Sequence, residues 1–343
     1  MFINSILCFL WSFFITVFAI PSIINVAHFK RILDEPNLRT VHNSLTPRLG
    51  GIAIFAGFTS ALTIFGDFDK EVQQIVAGSI VLFFIGLKDD IVSVSVFKKF
   101  FVQVLATGIV VFIGNIRITS FQGLFGLYEL PMGISYAFTF LVIIGITNAI
   151  NLVDGIDGLA GTILVFTSAV FGIFFYFGKI SNSIYFTQVA FCLVGSVLGF
   201  LKYNFNKAII FMGDTGSLVC GFILSVMAIK FIEYQLVPSA SIVSMAILII
   251  PILDTTRVFI IRVLAGKSPF SPDKNHLHHI LKKLNLKSGY VVSVLMVFNL
   301  VAIITITSIS FLPIHVLFLI LALMCAVFVF ILEALKSKVK PLE

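Results

Sequence analysis

Residues 134–161 read ISYAFTFLVIIGITNAINLVDGIDGLAG. The first part, 134–150, holds no charged side chain and is close to the roughly 20 apolar residues that carry a helix across a bilayer. The run then breaks into Asp154, Asp157 and three glycines, with no Lys or Arg nearby to neutralise the aspartates. Uncompensated carboxylates beside a membrane are costly. A divalent cation, or a lysine from another loop, would offset that cost. Asn148 and Asn151 are three apart, as are Asp154 and Asp157, and on a helix each pair shares a face. Gly155, Gly158 and Gly161 let a phosphate or a second helix come close. The plainer alternative is a glycine-rich turn between helices with polar caps.

The rest of the chain has the same texture. Its 343 residues are 59% hydrophobic and 11% charged, with a mean hydropathy of +1.11. A soluble globular chain is nearer a quarter charged, so the apolar residues must face lipid. The net charge of +7 does not point to nucleic acid, because the basic residues sit in short loops between apolar runs. The four cysteines all fall in apolar runs and form no disulfide or metal pattern. The N-terminal run lacks a basic leader and a small-x-small cleavage site, and reads as a retained first span.

Eleven candidate spans result: 4–26, 50–66, 72–87, 100–114, 134–150, 160–177, 186–201, 216–232, 238–260, 290–311 and 313–334. The expected fold is an all-α polytopic membrane protein, a single domain over 1–343 with no internal repeat. With the N-terminus outside, 19 of the 23 Lys and Arg fall on inside segments, against Lys70, Arg117, Lys179 and Lys230 outside. An odd number of spans then puts the C-terminus in the cytoplasm.

On that map the clustered polar residues all fall inside. GLKDD (86–90) ends the third span, and the adjacent Asp89 and Asp90 point about 100° apart on a helix, which suggests different tasks. FMGDTGS (211–217) sets Asp214 at a helix start, where Asp214 and Thr215 can act as caps and phosphate can sit on the helix N-terminus. SPFSPDKNHLHHILKK (268–283) puts His276, His278 and His279 beside Asp273. His276 and His279 share a helical face, with His278 turned away, and contact with phosphate oxygens is preferred over a zinc site. Asp254 lies toward the inside end of the ninth span. Arg39, His42 and Arg48 serve either a substrate phosphate or the lipid headgroups. Lys98 and Lys99 either snorkel or pair with the carboxylates. A transporter would keep its polar residues at mid-membrane rather than at span ends. A lipid-alcohol phosphotransferase or phosphatase would need carboxylates and Mg²⁺ but not this histidine loop.

The segments DEPNLRTVHNSLTPRLGG, GLKDD, KFFVQ, NAINLVDGIDGLAG, FMGDTGS, PILDT and SPFSPDKNHLHHIL run in order from residue 34 to 281. In this combination the chain resembles the polyprenyl-phosphate N-acetylhexosamine-1-phosphate transferases, most of all the bacterial undecaprenyl-phosphate GlcNAc-1-phosphate transferases. The resemblance implies a multi-pass enzyme of the bacterial inner membrane with eleven spans and a cytoplasmic active site. It implies a UDP-N-acetylhexosamine and undecaprenyl phosphate as substrates, UMP as product, and Mg²⁺ (or Mn²⁺) as cofactor. Membrane lipid surrounds the protein; the oligomeric state stays open, a dimer included. It assigns catalysis to Asp89, Asp90, Asp154, Asp157 and His279. Substrate binding falls to Lys99, Asn148, Asn151, His276 and His278, and the metal to Asp214. Leu277 interrupts the run of three histidines found in the pentapeptide-transferring relatives, which argues against a peptidoglycan precursor as the sugar.

Overall fold

The computed structural model describes residues 2–33, 46–178, 180, 182–268 and 275–338. Arg39, His42 and Asp273 lie outside them. Among the described residues the secondary structure is helical, apart from isolated bridge positions such as the pair Ser120 and Glu129. The helices are α1 (Phe2–Lys30), α2 (Gly50–Phe65), α3 (Lys70–Ile91), α4 (Val96–Gly108), α5 (Met132–Val153), α6 (Leu159–Phe177) and α7 (Ser183–Asn204). They continue as α8 (Gly213–Tyr234), α9 (Ala240–Ile247), α10 (Ile249–Leu264), α11 (Leu277–Lys283), α12 (Ser288–Ser308) and α13 (Ile314–Lys338). A π-helical turn, Ile109–Ile113, extends α4.

Eight helices among the described residues are long and apolar enough to cross a membrane: α1, α4 with its π turn, α5, α6, α7, α8, α12 and α13. The protein is therefore a multi-pass membrane protein. The other three expected spans are helical but depart from that standard for visible reasons. α2 has only 16 residues. α3 carries Lys70 and Glu71 at one end and Lys88, Asp89 and Asp90 at the other. The run 238–260 is broken at Leu248 into α9 and α10. Pro251 explains that break: it has no N–H to donate to Ile247, and it is tolerated only in the first turn of α10. Buried Asn299 of α12 donates to the carbonyls of Ala246 (2.9 Å) and Ile247 (3.3 Å), which satisfies groups freed by the break.

The chain groups into two compact units, Met1–Thr119 with Leu130–Leu236, and Ser120–Glu129 with Val237–Glu343. At the heart of the first is α8, which touches α2, α3, α5, α6 and α7. It is apolar on all sides and buried from Thr215 to Phe231. Neighbouring backbones reach it through glycine. A Cβ on Gly51 of α2 would lie 2.1 Å from the Gly216 nitrogen, and one on Gly86 of α3 would lie 2.6 Å from the Thr215 Cα. Small residues at crossings are how membrane helices gain contact where lipid removes the hydrophobic drive. In the second unit, α12 packs against α9, α10 and α13, and α11 against α12 and α13.

Candidate active site

Four sequence segments of the first unit meet at the start of α8. Phe211 donates its N–H to Pro47 O (2.8 Å), while Gly50 and Gly51 donate to Phe211 O (2.9 Å) and Met212 O (2.8 Å). The TPRLGG segment is thereby laid along the FMGD turn. Gly213 follows with φ +70°, and a Cβ there would sit 2.1 Å from Arg48 O and 2.5 Å from an Asp90 carboxylate oxygen. Only glycine meets both demands.

The close approach at Gly86 brings the end of α3 against α8. Asp90, one turn further along α3, then caps the α8 N-terminus from outside. Its Oδ1 accepts from Asp214 N (2.7 Å), and its Oδ2 accepts from Thr215 N (2.9 Å) and the Thr215 hydroxyl (2.5 Å). This corrects the expected capping by Asp214 and Thr215: both donate to Asp90, and the amides expected to receive phosphate are already taken. Burial pushes the Asp90 carboxyl up to about 6, while these bonds pull it down.

Asp89, adjacent in sequence, does something else. Its Oδ1 accepts from Val94 N (2.6 Å) and its Oδ2 faces Lys99 Nζ at 3.2 Å. The same Nζ lies 2.9 Å from Asp214 Oδ2, so Lys99 bridges the two carboxylates rather than snorkelling. Lys98 is exposed. Asn151 of α5 donates to Asp214 Oδ1 (3.1 Å) and to Ser217 Oγ (2.8 Å). Asn148 instead exchanges hydrogen bonds with Gln103 of α4 (2.6 and 3.2 Å), which ties α4 to α5.

Asp154 and Asp157 do not share a helix face, because α5 ends at Val153 and the glycines carry the chain into a turn. Asp157 is buried and accepts from Ala208 N (3.1 Å), and Gly158, at φ +78°, donates to Asn204 Oδ1 (2.9 Å). That half of the loop is clamped against the α7–α8 connection. Asp154 stays partly exposed. Burial pushes its carboxyl up to about 7, helped by the charges of Asp214, Asp90 and Asp157 and opposed by Arg48. Among the described residues, Lys99 thus pairs with Asp89 and Asp214, and the charge of Arg48 acts on Asp154.

A pH dependence follows. Between 3.8 and about 7 the folded protein holds a proton on Asp154 that the unfolded chain has lost, so this group makes stability fall as pH rises through that window. In metal-free detergent the melting temperature should drop between about pH 4 and about pH 7. Asp154→Asn should flatten that slope, leaving a remainder from Asp90. Identical slopes for wild type and variant would contradict the assignment.

The second unit gathers the histidines. His276 stands at the N-cap of α11, next to the helix rather than within it. Its ring stacks on His278 (5.7 Å between centroids, 14° between planes), and His278 lies 4.3 Å from His279. So His278 is not turned away from the other two. It is buried, and burial together with the His279 charge pushes it down to about 3, so it is neutral at working pH.

Two other relations escaped the sequence reading. Asp254 holds His276, with its Oδ2 2.7 Å from Nδ1. Ser217, one turn into α8, passes a hydrogen bond from Asn151 to Gly213 O (2.9 Å). Its position in FMGDTGS, next to Gly216, was the available signal.

Known proteins resemble this chain along most of its length. A probable undecaprenyl-phosphate N-acetylglucosaminyl 1-phosphate transferase of Bacillus subtilis (strain 168) is 31% identical over 329 residues, covering 94% of this chain and 90% of that protein. The undecaprenyl-phosphate alpha-N-acetylglucosaminyl 1-phosphate transferase of Escherichia coli (strain K12) is 31% identical over 264 residues, 75% of this chain and 71% of its own. The protein of the same description in Yersinia pestis is 29% identical over 263 residues, with the same shares covered. The profile of glycosyl transferase family 4 matches residues 72–232, from α3 into the last turn of α8, which takes in the whole carboxylate cluster. The chain belongs to glycosyl transferase family 4 and is a multi-pass membrane enzyme of that family.

Proposed function

We propose that the protein transfers N-acetylglucosamine-1-phosphate from UDP-N-acetylglucosamine to undecaprenyl phosphate, releasing UMP, as the first membrane step of a cell-surface glycan pathway. The observation that carries this reading is the Asp89–Lys99–Asp214 bridge beside Asp154, a carboxylate cluster at one end of α8. The names of the relatives support the acceptor and the sugar.

The residues present fit a divalent cation. The groups that converge there are carboxyl groups, whose oxygens are hard ligands. Among the described residues no group of three or more His, Cys, Asp or Glu forms a protein-only cage. Mg²⁺ does not require one: it usually takes one or two carboxylates and fills its shell with phosphates and water. Asp214 would hold it, with Asp154 nearby, and bound Mg²⁺ (or Mn²⁺) would neutralise charge on the pyrophosphate.

The chain's own groups do the rest. An oxygen of undecaprenyl phosphate attacks the β-phosphorus; the bond from that phosphorus to the bridging oxygen breaks, and the electron pair leaves with UMP. Lys99 holds Asp89 and Asp214 in register. Asp154, raised to about 7, is suited to take a proton from the acceptor phosphate. Asp90 is engaged as a cap, so the base is not sought there. Asn151 keeps Asp214 in orientation. The histidines of the second unit are assigned to the sugar-nucleotide.

If the eleven apolar runs all cross, the Lys and Arg distribution favours an N-terminus outside and this site at the cytoplasmic face of the inner membrane. One experiment tests site and orientation together. Everted vesicles given UDP-N-acetylglucosamine, undecaprenyl phosphate and Mg²⁺ should release UMP, and EDTA should stop it. Sealed right-side-out vesicles should release none until permeabilised. Release by sealed right-side-out vesicles would overturn the orientation; no release by either would overturn the reaction.

A further inference from the structure

The entry to α11 is held by one face of α10. Asp254, 2% exposed, accepts from Leu277 N through Oδ1 (2.6 Å) and faces His276 Nδ1 through Oδ2 (2.7 Å). Arg257, three residues on and so on the same face, donates through Nη1 to Asn275 O. Its other amino group pairs with Glu333 of α13. Three consecutive residues, 275–277, are thus fixed by two side chains of opposite charge. His276 makes no cap bond of its own; Asp254 supplies the cap to α11 through Leu277 N.

This geometry dictates which ring nitrogen carries hydrogen. An ionised carboxylate only accepts, so His276 Nδ1 must be the donor. Nε2 is then the ring nitrogen left for a ligand. With the proton on Nδ1, Nε2 is a hydrogen-bond acceptor, suited to a hydroxyl or an N–H of a ligand. The ring is held at one end and stacked on His278, which in turn lies against His279, so its orientation bears on all three.

We propose that Asp254, supported by Arg257, is the positioning residue of the histidine loop: it fixes His276 with a proton on Nδ1 and so presents Nε2, as an acceptor, to the sugar-nucleotide. The presentation to that substrate rests on the reaction proposed above; the tautomer does not. Carboxylates that orient a functional imidazole are worth roughly 10–100-fold at metal sites, and a similar factor applies here.

The test has two arms. In the first, the full-length protein carries isotope-labelled histidine nitrogen, and a difference spectrum against His276→Gln identifies the His276 signal. A protonated Nδ1 is expected; a bare Nδ1 with the proton only on Nε2 overturns the proposal, whatever the variants do. In the second arm, Asp254→Asn is compared with wild type in UMP release. A fall in kcat of roughly 10–100-fold, with the protein still folded in detergent, is expected. Wild-type kcat in a folded Asp254→Asn overturns the proposed role. Should wild type itself release no UMP, the reaction fails, while the spectrum still decides the clamp.

Discussion

Asp214→Asn should abolish UMP release, by about 10³-fold or more, at any Mg²⁺ concentration. The reason is the number of relations that converge on this carboxylate. Its Oδ2 meets Lys99 at 2.9 Å and its Oδ1 accepts from Asn151 at 3.1 Å, at the first turn of the most buried helix. Asparagine keeps the shape and one acceptor but removes the charge that would hold the cation and that anchors Lys99. The fold should survive, because the α8 cap is supplied by Asp90 and not by Asp214. Initial rates against Mg²⁺, with a melting curve as control, check this. If Asp214→Asn keeps most of its rate while Asp154→Asn loses its Mg²⁺ dependence, the metal belongs to the α5–α6 turn instead.

The adjacent aspartates should separate by stability. Asp90→Ala leaves the amides of Asp214 and Thr215 and the Thr215 hydroxyl without their acceptor. Losing a helix cap costs about 0.5–2 kcal/mol, and a buried orphan donor costs about 1–3 kcal/mol. A net loss of roughly 2 kcal/mol or more is expected, together with loss of turnover. Asp89→Ala frees Lys99 from one of two partners and leaves Val94 N at a more open loop start. Its stability should change by about 1 kcal/mol or less, with turnover still falling by roughly 10²-fold. Detergent melting temperatures and UMP release, measured on both variants, decide the matter. Equal destabilisation of the two would contradict the division of labour.

The sequence reading went furthest where chemistry is local. Long apolar runs announced the helices, and Lys99 near Asp89 is a pairing across ten residues that charge alone suggested. It failed where a contact spans the chain. Nothing in GLKDD says that Asp90 will cap a helix 124 residues later; the fit depends on the missing side chain of Gly86. Helix periodicity also misled at helix ends. Helical spacing puts Asp154 and Asp157 on one face, but the α5 register stops at Val153. The histidines were given helical spacing, yet α11 starts at Leu277, so His276 leans back to Asp254 and His278 packs inward. The break at Leu248 was legible in principle, since Pro251 stands in the sequence four residues after the carbonyl it cannot serve.

The central claim is that the sugar moves together with its phosphate. Purified protein would be given UDP-N-acetylglucosamine labelled with radiophosphorus in the β-phosphate and tritium in the sugar, plus undecaprenyl phosphate and Mg²⁺, and the lipid phase extracted. The account predicts that both labels enter the lipid in equal amounts, with one unlabelled UMP released for each. Tritium alone in the lipid, with labelled UDP left in the water, would show transfer of the bare sugar and would contradict it.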